Sequence, residues 1–139
     1  MYRYIEQSTA SEKGAEITAS NALKAFEALA NQCNQIAEPY LCHHLAAMLT
    51  AAAHKNAKVR SAAESAVRAV TTKMSANALR QVFPTLFKLS EVGVAWQTRA
   101  LCLKTVASFG DHAPEQLGFS LPDVRFLFYH NLYSTLVKF

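Results

Sequence analysis

The chain has 139 residues, of which 51% are hydrophobic and 17% charged, so it can bury a core and is not intrinsically disordered. Glycine and proline number only four each, which disfavours a turn-rich β fold and favours a helical one. The net charge of +4 is uneven, because residues 39–90 carry seven basic groups against Glu64 alone. Such a concentration either favours a polyanion or an acidic surface as partner or simply keeps a helical surface solvated.

Apolar residues recur at helical spacing along the chain, as in Leu41, Leu45 and Met48, and this predicts a series of amphipathic helices. Asn56 is the expected N-cap of the third helix, and Ser75 opens a short turn after that helix. Gly110 is expected to close the fifth helix. The predicted helices cover 18–33, 39–53, 57–74, 84–90 and 95–109, and a last one begins at Pro122.

Three prolines punctuate the chain in a similar way, since Pro39, Pro84 and Pro122 each follow a long helix and a short break. They are 45 and 38 residues apart, and each is expected in the first turn of a helix, where its missing N–H costs no hydrogen bond. Arg60 and Arg99 lie 39 residues apart near the starts of long helices. A period near 40 with two helices per unit is typical of HEAT or armadillo arrays.

The predicted fold is therefore an all-α, armadillo-like α-solenoid of about three HEAT-type antiparallel helix pairs. We expect one HEAT-repeat domain over the whole chain, with residues 125–139 divergent. The expected pairs are 18–53, 57–90 and 95–139.

Longer segments carry a resemblance to a known family, with the same order and nearly the same spacings over residues 20–124: 20–32, 38–41, 55–70, 75–86 and 96–121. They resemble the N-terminal HEAT region of translation elongation factor 3, and they are similar to the HEAT block of the ribosome-associated activator of the general-control kinase. Residues 1–19 match nothing in that pattern. The resemblance implies a module that docks on the ribosome, touching ribosomal RNA and ribosomal proteins, in translation elongation. The alternatives are translational stress signalling and a generic HEAT scaffold for protein partners.

The full elongation factor carries two ATP-binding cassettes, and this sequence cannot encode their phosphate loop. Glycine occurs only at positions 14, 93, 110 and 118, so no Gly-x-x-x-x-Gly-Lys motif can be written. We therefore expect a non-catalytic part of a larger protein, or a reduced relative, that needs no cofactor.

No group of residues predicts a metal site or a catalytic centre. In Cys42-His43-His44, neighbouring ligands on a helix point about 100° apart and cannot share one tetrahedral ion. Asp111 and His112 lie at a helix end, where capping is the usual role. Three cysteines, no signal peptide and no membrane-spanning run indicate a cytoplasmic protein with free thiols.

The basic residues of the middle segment form the predicted ribosome- and polyanion-binding surface. Arginine would grip phosphates with two hydrogen bonds, and lysine would act as a point charge. Arg60 and Arg99 have a competing role, in which they pair with acidic groups between repeats and set the curvature of the array. The predicted residues are Lys55, Lys58, Arg60, Arg68, Lys73, Arg80 and Lys88.

Two aromatic features remain. Trp96 opens a helix and could stack on a base or a partner's side chain, but large aromatics at helical spacing more often fill the core between repeats, and we expect that role here. The C-terminal aromatic helix is expected to cover the end of the array or to mediate self-association. Its apolar residues are Phe126, Phe128, Tyr129, Leu132, Tyr133 and Leu136.

Overall fold

The computed structural model describes residues 13–136, and it describes the side chains of that range except at 13, 34, 127 and 130–136. Within this range the structure is helical with no β-strand, which confirms the predicted all-α solenoid class. Short 3-10 turns follow the first two helices at Asn34–Ala37 and Ala51–Ala53. The α-helices of the described range are α1 (Lys13–Cys33), α2 (Glu38–Thr50), α3 (Ala57–Lys73), α4 (Ala76–Lys88), α5 (Trp96–His112), α6 (Pro114–Phe119) and α7 (Leu121–Leu136).

Two polar residues begin helices, Asn56 as predicted and Ser75 where only a short turn was predicted. Asn56 is the N-cap of α3, and its side-chain oxygen accepts a hydrogen bond of 2.8 Å from the backbone N–H of Lys58. Ser75 is the N-cap of α4, and its hydroxyl accepts from the backbone N–H of Ala78 at 3.3 Å. Each cap satisfies an N–H that has no partner inside its own helix.

The predicted role of Pro84 as a helix start is wrong, although Pro39 and Pro122 do lie in first turns. Pro84 lies inside α4, which begins eight residues earlier at Ala76. Ser75 caps the start of this earlier stretch, and its apolar face, which includes Leu79 and Val82, is buried. These two contributions outweigh the local cost of proline, about 3 kcal/mol in a helix interior.

Two other predicted boundaries also differ. The first helix begins at Lys13 and not at residue 18. Gly110 lies inside α5, which continues to His112, so it does not end that helix. The reason is that Ala113 and Pro114 follow directly and open the short helix α6, which was not predicted. The chain reversal that needs a glycine occurs instead at Gly93, whose φ of 122° suits a residue without Cβ.

The long helices stack side by side. α1 packs along α3 and α3 contacts α5, while α2 packs against α3 and α4. Near its start α1 contributes Glu16, which accepts a hydrogen bond of 2.7 Å from the amide of Asn56. Near its middle it contributes Glu27, which accepts one of 2.8 Å from the hydroxyl of Ser65. Because the start of α1 contacts the start of α3 and the middle of α1 contacts the middle of α3, the two helices are parallel neighbours. The division of the chain into three helix pairs remains a prediction.

The core runs between these helices without a break, from α1 to the start of α7. Phe109 on α5 is fully buried, and its ring meets that of Phe83 on α4 edge to face, with 5.6 Å between the centroids. Burying large side chains from successive helices is what makes a stack of repeats stable, because no single helix pair can cover its own apolar face. Among the helices of residues 13–136, none is both long and apolar enough to cross a lipid bilayer.

Candidate binding surface

The predicted basic residues lie on the link before α3, on α3 itself and on α4. Six of the seven are exposed, and only Arg60 is half-buried. Exposed cations in one stretch of a stacked array can reach a partner without rearrangement, although exposure alone does not identify that partner. The exposed six are Lys55, Lys58, Arg68, Lys73, Arg80 and Lys88.

Arg60 holds the link in shape. Its guanidinium donates from Nη1 to the carbonyl oxygens of His54, at 3.1 Å, and of Lys55, at 2.8 Å. The backbone N–H of Asn56 also donates to Nδ1 of His54 at 3.0 Å. These bonds fix the backbone that carries Lys55, so one predicted contact residue positions another.

A shallow groove of about 390 Å³ separates α3 from α5. Its α3 wall carries Arg68 and Glu64, and its α5 wall carries Lys104. Lys104 was not among the predicted residues. The 39-residue offset that relates Arg60 to Arg99 pairs Lys104 with the uncharged Ser65, so the repeat pattern did not indicate a basic residue there.

A second groove, of about 210 Å³, lies between α1 and α3 and brings Arg68 together with Lys73. Glu27 lines the same groove, where it accepts its bond from Ser65. Arg68 therefore stands between the two grooves and lines both. Arg80 and Lys88, on α4, line neither of them.

Trp96 does not fill the core, which corrects the expectation for that residue. Its side chain is 68% exposed, and Val92 in the preceding link is 50% exposed. The reason is its position, since Trp96 is the first residue of α5 and the buried face of that helix begins only at Thr98. Ala57, which begins α3 39 residues earlier, is also exposed.

The environments of Cys42, Cys102 and His44 indicate structural roles for these side chains. Burial raises the pKa of the Cys102 thiol to about 11, and burial followed by the charge of Glu38 raises that of Cys42 to about 11. Burial and the neighbouring His43 lower the pKa of His44, whose ring lies 5.5 Å from that of Phe26. A protonated thiol is a poor nucleophile, so these cysteines do not have the character of catalytic ones.

Asp111 and His112 are exposed at the end of α5, and the hydroxyl of Ser108, one turn earlier, donates to the carbonyl of Thr105 at 2.7 Å. Ser108 is thereby engaged with its own helix, an ordinary role for serine there. Among the side chains that the structure describes, no three of His, Cys, Asp or Glu come together in a way that could hold a metal ion.

The C-terminal helix α7 presents aromatic side chains at its surface. Phe126 is 72% exposed and Tyr129 70%, while Phe128 is 39% exposed. The side chains of Leu132, Tyr133 and Leu136 lie outside the described residues. Self-association through this helix therefore remains a prediction.

Comparison with known proteins places these features in a family. The sequence model described as EF3 N-terminal HEAT repeat matches residues 2–125. This match extends the resemblance, which was expected only from residue 20, almost to the start of the chain, and it ends where the expected divergent segment begins. No solved structure matches the chain.

Curated relatives agree with that match. Protein ILITYHIA of Arabidopsis thaliana is 35% identical, and Stalled ribosome sensor GCN1 of Homo sapiens is 33% identical, each over 74% of this chain. Elongation factor 3 of Gonapodya prolifera is 29% identical over 78% of it. The chain spans only 4% of the first two relatives and 10% of the third. By the family match over most of its length, the chain belongs to the EF3 N-terminal HEAT repeat family.

Proposed function

We propose that this chain is a non-catalytic, cytoplasmic HEAT-repeat module that docks on the ribosome, contacting ribosomal RNA and ribosomal proteins, in translation elongation. The observation that carries the proposal is the membership in a family whose relatives include Elongation factor 3 and Stalled ribosome sensor GCN1. The exposed basic residues along α3 and its preceding link support it, because ribosomal RNA presents a dense array of phosphates.

The α3 surface suits such a partner by shape and charge. Lys58 lies in the first turn, Arg68 stands between the two grooves, and Lys73 lies in the last turn. Cations carried by one rigid helix can meet phosphates without a large loss of backbone freedom. Glu64 lies on the same helix and limits the positive charge, so we expect moderate affinity with a marked dependence on salt.

Co-sedimentation with purified ribosomes tests the proposal. The variant carrying Lys58→Glu and Arg68→Glu should lose binding at moderate salt, and the wild-type protein should release progressively as salt rises. The matched control carries Lys24→Glu and Arg125→Glu, two exposed positions on α1 and α7 with the same total change in charge. Failure of the wild-type protein to sediment with ribosomes at low salt would contradict the proposal.

A second candidate function is translational stress signalling, which the resemblance to the ribosome-associated activator of the general-control kinase implies. It is favoured by one observation, the higher identity to Stalled ribosome sensor GCN1 than to Elongation factor 3, 33% against 29%. The two candidates predict different preferences. A module for elongation should bind translating ribosomes at least as well as stalled ones, whereas a module for stress signalling should prefer stalled ribosomes in the same assay.

A generic protein scaffold is the remaining alternative. Its partner would be an acidic peptide, and an interface with few phosphate contacts has a shallow dependence on salt. Measurement of the affinity for ribosomes across a series of salt concentrations separates this alternative from docking on RNA.

A further inference from the structure

We propose that Trp96 is a stacking platform for an unpaired RNA base, with Lys55 and Lys58 holding the neighbouring phosphates. The inference deepens the proposed function and rests on it, since it names the part of the ribosome that this edge of the module would contact. It starts from the exposed indole, a large apolar surface in a family of folds that normally buries such side chains.

The backbone of the link before α5 is held by hydrogen bonds. The hydroxyl of Ser90 donates to the carbonyl of Leu86 at 2.7 Å, and the backbone N–H of Val94 donates to the carbonyl of Glu91 at 3.2 Å. Gly93, which lies between Glu91 and Val94, has a positive φ and reverses the direction of the chain. Because hydrogen bonds hold the backbone of this link, little backbone freedom is lost when a base stacks on the indole.

Lys55 and Lys58 lie at the equivalent place one repeat earlier. Ala57 begins α3 just as Trp96 begins α5, and α5 contacts both α3 and the turn Ala51–Ala53 that precedes the lysines' link. The starts of the two helices therefore lie along the same edge of the array. Both lysines are exposed, and Arg60 fixes the backbone of the link that carries Lys55.

The chemistry of this edge selects among partners. An indole face accepts any base, because every base has a π face, and nearby cations attract the phosphates that join the bases. The two lysines would repel a cationic side chain that approached the indole of Trp96, and an acidic peptide offers no flat ring to cover it. Glu91 is exposed in the link that precedes Trp96, so the positive charge is concentrated on the lysine side of the edge.

The sequence contains a single tryptophan, so fluorescence excited at a wavelength that its five tyrosines do not absorb reports on Trp96 alone. Titration of the whole chain with a short single-stranded oligoadenylate should quench the emission, while a duplex RNA of equal charge should quench it much less. With a dye-labelled oligoadenylate, Trp96→Ala should weaken binding about 5- to 150-fold, the range for one stacked base, and Trp96→Phe should keep most of the affinity. Lys55→Glu with Lys58→Glu should also weaken binding and reduce its salt dependence.

The variants should fold normally, because Trp96 is exposed and contributes little to the core; thermal unfolding followed by circular dichroism checks this. Trp96→Ala that binds oligoadenylate as tightly as the wild type would overturn the inference. So would a polyglutamate peptide that quenches as strongly as RNA, which would point to an acidic protein partner. If the Trp96→Ala protein still sediments fully with ribosomes, the stacking role falls and the proposed docking survives; if the wild type fails to sediment, the docking itself falls.

Discussion

Glu38, in the first turn of α2, accepts two hydrogen bonds from Ser75, the residue that caps α4, 37 positions later in the chain. One comes from the backbone N–H at 2.6 Å and the other from the hydroxyl at 2.7 Å. Glu16 of α1 and Asn56, the cap of α3, form the same kind of pair 40 positions apart. In both pairs a cap that begins one helix is held by a glutamate near the start of the equivalent helix before it, so local capping and the stacking of repeats depend on the same residues.

Replacement of Glu38 should therefore destabilise the stack. Glu38→Ala leaves the N–H and hydroxyl of Ser75 without their carboxylate partner in a half-buried place, at an expected cost of about 1–3 kcal/mol in the free energy of unfolding. Urea unfolding followed by circular dichroism measures this cost. Glu64→Ala is the control, because Glu64 is exposed on α3 and should change the free energy of unfolding by less than about 0.5 kcal/mol. Equal effects for the two variants would contradict the role of Glu38.

Phe109 should be among the most costly positions to truncate. It is fully buried, and its ring packs edge to face on Phe83, which joins α5 to α4. Phe109→Ala should lower the free energy of unfolding by about 3–5 kcal/mol, since it removes buried apolar surface and leaves a cavity. The matched control is Phe119→Ala, because Phe119 on α6 is 83% exposed. A Phe109 variant as stable as the control would show that α5 does not depend on this contact.

The residues show which parts of this fold could be read from the sequence. The cap at Asn56 was predictable because capping is decided by a few neighbouring residues, whereas Ser75 was expected to open only a short turn. Pro84 was misplaced because the burial of the apolar face of α4 is a tertiary effect that overrides a local preference. The bonds of Glu38 and Glu16 depend on how repeats align in space, which no local pattern contains. The exposure of Trp96 escaped prediction for a similar reason, since helical spacing does not show where a helix begins to face the core.

Stability should fall in mild acid because of His44. Burial lowers its pKa in the folded state below the usual 6.5, so between the folded pKa and 6.5 the unfolded chain binds more protons than the folded one. The stability contribution is therefore complete above pH 6.5 and is lost as pH falls through the folded pKa. His44→Gln should flatten this part of the pH profile in urea unfolding, whereas His112→Gln, at an exposed position, should not. An identical acid slope in wild type and His44→Gln would assign the loss to other groups.

The thiols should react with alkylating reagents in an order set by burial. Cys102 is fully buried and its pKa is raised to about 11, so at pH 8 it is protonated as well as inaccessible. The native protein should therefore be alkylated first at Cys33, which is half-buried, and at Cys102 only after unfolding in urea. Mass spectrometry of peptides from timed samples gives the order. Alkylation of Cys102 as fast as that of Cys33 in the native protein would mean that the core around α5 opens far more often than its packing indicates.

Self-association through α7 is the last expectation that can be measured. Phe126 and Tyr129 are exposed on this helix, and the joint variant Phe126→Asp and Tyr129→Asp would place charge on that surface. If the helix joins two copies, light scattering across a concentration series should show a molar mass that rises with concentration for the wild type and stays at the monomer value for the variant. Exposed Ile36, on the 3-10 turn after α1, offers the control Ile36→Asp, which should associate as the wild type does. A wild-type protein that stays monomeric at every concentration would leave α7 as a cover for the end of the array and rule out the dimer.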